Sequence, residues 1–158
     1  MSNQSPTTEV FVVPPSGGSA HSENDGEAFR LVGTVLLCED DDQLRRVSAR
    51  VLRRTGVTVI TASTGQEAIE CVRADGGTID LVLLDVLLPD MNGCDVFHTI
   101  YQMNPQIRVT LISGYSESQV ERRLAAIKPS YIMMKPVDAK MLRQTVARFL
   151  PPQKETIA

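Results

Sequence analysis

Five apolar runs of strand length, each followed by a segment in which apolar residues recur every three or four positions, constrain this chain more than any other feature. The runs are Thr34 to Cys38, Val57 to Ala62, Leu81 to Leu84, Ile107 to Ile112 and Tyr131 to Met134. Helical spacing is seen in Leu44, Val47 and Val51, in Val120, Leu124 and Ile127, and in Leu142, Val146 and Phe149, and each trio reads as the buried stripe of a helix. Boundary signals agree. Thr64 and Glu67 have the spacing of a capping box for the second helix, Asp41 or Asp42 is placed to cap the first, and Asp138 the fifth. The third helix is expected from about Cys94 to Gln102, with Asn104-Pro105 ending it. The pattern is (βα)5. Runs one and three are apolar almost throughout, as central parallel strands covered on both faces must be, so the fold class is α/β with a doubly wound parallel sheet. In such sheets reactive groups gather beyond the carboxyl ends of the strands, where the strand order reverses.

The rest of the chain bounds the domain. Residues 1–30 are rich in Ser, Pro, Gly, Asn and acids, too little apolar surface to offset chain entropy, and are expected to form a disordered arm. Residues 31–150 would form the folded domain, and Pro151-Pro152 should release residues 151–158 as a flexible tail. No apolar run reaches 18 residues, and no Lys or Arg precedes Arg30 to form the basic start of an export signal, so a cytoplasmic protein without a membrane span is expected. Cys38, Cys71 and Cys94 are odd in number and form no C-x-x-C pair, which favours reduced, buried thiols over disulfides or zinc. The arm holds Glu9, Glu23, Asp25 and Glu27 and no Lys or Arg, while the remainder is close to neutral. Without a basic stripe interleaved with aromatics, direct nucleic-acid binding is not expected. Arg45, Arg46, Arg50, Arg53 and Arg54 recur at helical spacing and read as a solvated helix face.

The strand ends carry the chemistry. Run one leads into Glu39-Asp40-Asp41-Asp42, run three into Asp85, run four into Ser113 and run five into Lys135-Pro136. Clustered carboxylates repel one another, so they raise a pKa or recruit a cation. Oxygen donors without His or Cys suit Mg²⁺, which keeps several waters and leaves positions open for an incoming oxygen. Asp85, alone at the tip of a central strand, is the candidate nucleophile; Lys135 would supply a point charge and Ser113 a hydrogen bond to transferred oxygens.

These residues resemble the response-regulator receiver family over roughly residues 31–150. The resemblance rests on Val35-Leu36-Leu37-Cys38-Glu39-Asp40-Asp41, on Asp80 to Gly93 with Asp85, Pro89 and Gly93 in it, on Ile112-Ser113-Gly114-Tyr115 and on Lys135-Pro136. It implies a flavodoxin-like sheet of order 2-1-3-4-5. It also implies that Asp85 is the phosphoacceptor, that Asp40 binds Mg²⁺ directly and Glu39 through water, and that the backbone carbonyl of Leu87 completes the protein ligands. Ser113 would be the switch hydroxyl and Lys135 the partner of the phosphoryl group, delivered by a sensor histidine kinase or a histidine phosphotransfer protein. Signalling is expected through the fourth helix, fifth strand and fifth helix, a face that also suits a homodimer. With no DNA-binding or enzymatic segment after residue 150, output is expected through a partner of unknown identity, and the only expected enzymatic activity is self-dephosphorylation.

The family often places Tyr or Phe three residues before the lysine, where this chain has Ile132; Tyr131 lies one residue earlier and is expected on the opposite face of the strand. Two readings compete. A haloacid-dehalogenase-type phosphatase needs a second Asp two residues after the first, and Leu87 stands there. A degenerate receiver acting only as a docking module would not need the full set of acids, hydroxyl and lysine.

Overall fold

A computed structural model of the chain describes residues 30–125 and 127–154. The arm expected over residues 1–30 lies outside the described residues except for Arg30, as does the end of the tail from residue 155. The strands are β1 (Thr34–Cys38), β2 (Thr58–Ala62), β3 (Leu81–Asp85), β4 (Arg108–Ser113) and β5 (Tyr131–Met134). They alternate with α1 (Asp42–Arg53), α2 (Gly65–Asp75), α3 (Gly93–Met103), α4 (Glu117–Leu124) and α5 (Ala139–Phe149). All four strand pairings are parallel, in the order β2-β1-β3-β4-β5. The flavodoxin-like order is therefore present. The chain leaves β1 toward β2 on one side and returns to β3 on the other, so the loops after β1 and β3 diverge and open a crevice between them.

Period-two alternation splits the core into two layers. Leu36, Val82, Leu84, Val109 and Leu111 face one way and pack with Ala68, Val96, Phe97, Ile100 and Val120 of α2, α3 and α4. Val35, Leu37, Leu81, Leu83 and Met133 face the other way and pack with Ala49, Leu52, Leu142 and Val146 of α1 and α5. β3 is buried over its whole length, including its terminal Asp85, which explains why its sequence reads as continuous apolar residues ending in one acid.

Helix starts follow local chemistry. The side chains of Asp41, Thr64, Asn92, Ser116 and Asp138 each accept a hydrogen bond from a first-turn N–H of α1, α2, α3, α4 and α5 respectively. The expected capping box of α2 forms in altered form: Glu67 Oε2 accepts from the N–H and hydroxyl of Ser63 instead of the Thr64 N–H. α2 ends at Gly76, whose φ of 68° is the left-handed conformation that a C-terminal cap requires.

Two expectations are corrected. The stripe Leu44, Val47, Val51 is not the buried face of α1; Leu44 is 43% and Val47 53% exposed, Val51 is half-buried, and Ser48, Ala49 and Leu52 point inward. The small side chains of Ser48 and Ala49 let α1 lie close to the sheet with Leu52 filling the core, a face turned by roughly 100°, one residue's rotation. The tail is also anchored at its start: Pro152 forms an antiparallel bridge with Leu31, with the Val32 N–H donating to the Pro151 carbonyl (3.0 Å). This clasp ties the two ends of the domain together at the amino edge of the sheet, away from the crevice.

Candidate functional site

β1 delivers Glu39 and Asp40 to the crevice, and β3 delivers Asp85. One carboxylate oxygen from each lies within 4.8 Å of the others, a group able to hold a metal ion. Glu39 and Asp85 are buried, at 6% and 1% exposure, whereas Asp40 is open to solvent. From β5, Lys135 reaches in with Nζ 2.7 Å from Asp85 Oδ2 while leaving a third of its side chain exposed. The second oxygen, Oδ1, accepts from the N–H of Leu87 (2.9 Å), so both carboxylate oxygens are oriented. Ser113 sits buried at the end of β4, one residue beyond the partner of Asp85 in the β3–β4 register, and its carbonyl accepts from the Lys135 N–H (2.8 Å). Its hydroxyl is engaged within its own loop, accepting from the Tyr115 N–H at 2.9 Å. The structure thus gathers Glu39, Asp40, Asp85 and Lys135 directly and sets Ser113 on the adjoining strand end. The peptide bond between Lys135 and Pro136 is cis.

Electrostatics follow from this crowding. Burial pushes the Glu39 carboxyl up to about 7, reinforced by the charge of Asp85 and opposed by the Asp41 N–H and Lys135. Lys135 is held above its ordinary value because its hydrogen bond to Asp85 and the charges of Asp85, Glu39 and Asp40 outweigh desolvation. The Cys38 thiol at the end of β1 is pushed up to about 12, first by burial and then by the surrounding acids, so it is no nucleophile. In a metal-chelating buffer, folded protein retains the Glu39 proton at pH values where unfolded chains have released it. This group therefore lowers stability as pH rises from 4.5 to about 7, and has no effect on it below 4.5. Urea unfolding across that range should show a shallower loss in Glu39→Gln than in the wild type.

Positioning residues that sequence reading missed hold the loops. Arg45, taken for part of a solvated face, is half-buried, and its Nη1 donates to the carbonyls of Glu39 (2.9 Å) and Asp40 (3.3 Å) while Nη2 meets Asp42 (2.7 Å). The guanidinium clamps the acidic loop from behind. Asp90 in the loop after β3 accepts from the N–H groups of Gly65 and Gln66 (both 2.8 Å), locking that loop to the start of α2. These amide bonds, outweighing partial desolvation, hold the Asp90 carboxyl below its ordinary value. Arg45 had a local signal, four residues beyond the capping Asp41, but Asp90 acts across 24–25 residues and had none.

The face of β5 is as anticipated from its period. Ile132 packs on the α2–α3–α4 side, while Tyr131 lies on the α5 side with the Arg148 guanidinium 4.9 Å above its ring.

An open five-stranded parallel sheet with three acids at its switch point and a lysine from the neighbouring rim is the architecture of a receiver-type signalling domain. The chain belongs to the response regulator receiver domain family, whose model matches residues 35–147. It is 37% identical over 120 residues to the sensor kinase CckA of Brucella abortus, an alignment covering 76% of this chain and 13% of that protein. It is 31% identical over 117 residues to a cyclic di-GMP phosphodiesterase of Thermotoga maritima, covering 74% of this chain and 31% of that one. The chain thus spans less than a third of the length of either relative. Among solved structures, the receiver domain of the hybrid histidine kinase CckA is 32% identical with a TM-score of 0.63, covering 75% of this chain and all of that one. A chain of the CheX–CheY–BeF₃–Mg²⁺ complex from Borrelia burgdorferi is 25% identical, with a TM-score of 0.67 and coverage of 75% and 90%. A CheY-like receiver from Methanospirillum hungatei, 21% identical with a TM-score of 0.67 over 74% of this chain and 92% of its own, shows the same fold. Among the described residues no helix is long and apolar enough to cross a membrane.

Proposed function

We propose that Asp85 accepts a phosphoryl group from a phosphohistidine donor, a sensor histidine kinase or a histidine phosphotransfer protein, and that the chain signals by the change of shape that follows. The observation that carries this reading is the buried Asp85 carboxylate, held at Oδ1 by the Leu87 N–H and at Oδ2 by Lys135, beside Glu39 and Asp40. In the reaction the N–P bond of the donor breaks and an O–P bond to Asp85 forms, which frees the imidazole.

The donor set fits a hard divalent cation: three carboxylates, no sulfur or imidazole in the group, and one carboxyl with a raised pKa that a cation would relieve. Asp40, Asp85 and the Leu87 carbonyl would hold Mg²⁺ directly, and Glu39 through water. When bound, Mg²⁺ supplies charge neutralisation for the phosphoryl oxygens. The Borrelia complex, which contains BeF₃ and Mg²⁺, supports that choice.

The chain's own groups do the rest. Lys135, a third exposed, is free to swing from Asp85 Oδ2 to an oxygen of the new phosphoryl group. Ser113 must redirect its hydroxyl proton from the Tyr115 carbonyl, 3.4 Å away, to do likewise, and this exchange couples the site to the loop leading into α4. Ile132, aliphatic and half-buried on the α4 side of β5, takes the place of a switching aromatic, so the response would be a repacking of α4, β5 and α5. That face is also the surface for a downstream protein or a second copy. Rapid transfer of radiolabelled phosphate from one or a few purified sensor kinases or phosphotransfer proteins, against slow transfer from the rest of a panel, is the expected result. No transfer from any donor that labels a control receiver would reject the reading.

A further inference from the structure

α1 presents to solvent a surface that the fold does not use. Leu44 and Val47 are exposed, and Arg46, Arg50, Arg53 and Arg54 are exposed around and beyond them. Among the described residues, the ion pairs of α1 are those of Asp42 with Arg45 and Arg46, which leaves the basic carboxyl half of the helix without an acidic partner. Beside this surface runs a groove of about 520 Å³, lined by Leu37, Leu44, Ser48, Val137 and Leu142 and ending at Glu39 and Lys135.

The chain carries a segment of matching character. Residues 1–29 contain Glu9, Glu23, Asp25 and Glu27, no Lys or Arg, and the apolar run Val10-Phe11-Val12-Val13. Their attachment point is beside α1: the Leu31 N–H donates to the Thr55 carbonyl (2.8 Å), and Arg30 sits against Gly56 in the turn after the helix. Glu23, Asp25 and Glu27 lie three to seven residues before Arg30, a reach of up to about 10–25 Å, and Arg54 to Arg46 spans about 12 Å of helix. The run at Val10 to Val13 is 17–20 residues away, a maximum reach of over about 55 Å, ample for the about 15 Å along the helix to Leu44.

We infer that this acidic arm docks on α1 of its own domain, with Glu23, Asp25 and Glu27 against Arg46, Arg50, Arg53 and Arg54 and with Val10 to Val13 seated in the groove at Leu44. Each exposed ion pair is weak, but the tether gives an effective concentration near the millimolar range, which lets several weak contacts act together.

The docking is tested without phosphorylation. A nitroxide label on Ser16→Cys in a Cys71→Ala background, where Cys38 and Cys94 are buried, reports proximity through broadening of amide NMR signals. The expected result is selective broadening of residues 44–54, independent of protein concentration. It should be lost in the E9Q/E23Q/D25N/E27Q variant and at about 1 M salt, where the screening length falls to about 3 Å. Phe11→Ser should reduce it around Leu44 while sparing Arg53 and Arg54. Even broadening over the surface, broadening centred on another element, or broadening that grows with concentration would overturn the proposal, the last by pointing to a second copy. Loss of acetyl phosphate labelling would bear on the function of Asp85 alone.

Discussion

Asp85→Asn is expected to lower phosphoryl uptake from acetyl phosphate by at least about a hundredfold while leaving the fold intact. The amide is close in shape to the carboxylate, and its oxygen can still accept from the Leu87 N–H or from Lys135, the two contacts that now orient Asp85. What it lacks is an anionic oxygen able to form an acyl phosphate. Removing this charge also takes away one of the causes that raise Glu39, so the Glu39 carboxyl should titrate lower in the variant. Intact-protein mass spectrometry after incubation with acetyl phosphate and Mg²⁺ gives the first readout, and carbon-detected NMR titration of Glu39 gives the second. Undiminished uptake in a folded Asp85→Asn protein would remove Asp85 from the mechanism.

Gly93→Ala is expected to be among the most damaging single substitutions in the chain. A methyl group there would collide with the Asp85 carbonyl oxygen and stand 2.7 Å from the Val86 Cα, and both are backbone atoms of the strand end. Neither can rotate away as a side chain would, so α3 must back off from the sheet or β3 must shift. The cost expected is about 3 kcal/mol or more, toward the upper end for overpacking. The Gly93 N–H also donates to the Val86 carbonyl (2.7 Å), a bond that such a shift would stretch. Urea unfolding should show the midpoint drop, and labelling by acetyl phosphate should fall further than the folded fraction does, because the displaced backbone carries Asp85. A stability within about 0.5 kcal/mol of wild type, the range of ordinary surface changes, would mean that the helix has room to retreat.

Asp85 was legible because β3 is buried on both faces and reads as unbroken apolar residues until its single acid. The same logic placed Glu39, Asp40, Ser113 and Lys135 at strand ends, and the sheet order then made neighbours of residues as far apart as Asp85 and Lys135, 50 positions distant. The orientation of α1 was not legible. Its large apolar residues define one stripe and its small ones another, and close packing on the sheet selects Ser48 and Ala49 while leaving Leu44 and Val47 outside. Counting apolar side chains cannot anticipate that choice, since it depends on the space beneath the helix. Arg45 and Asp90 were missed for a related reason: both bind main-chain groups, and a sequence does not display which carbonyls or amides a fold leaves open.

The central claim is that one aspartate, Asp85, becomes covalently phosphorylated. Borohydride reduction of the chain after acetyl phosphate treatment converts an aspartyl phosphate to homoserine, and peptide mass spectrometry then locates the change. The account predicts homoserine at position 85, dependent on Mg²⁺, and at no other acid. Homoserine at Asp40, Asp41 or Asp90 with Asp85 unmodified, or a phosphoryl group that survives on a hydroxyl, would contradict it.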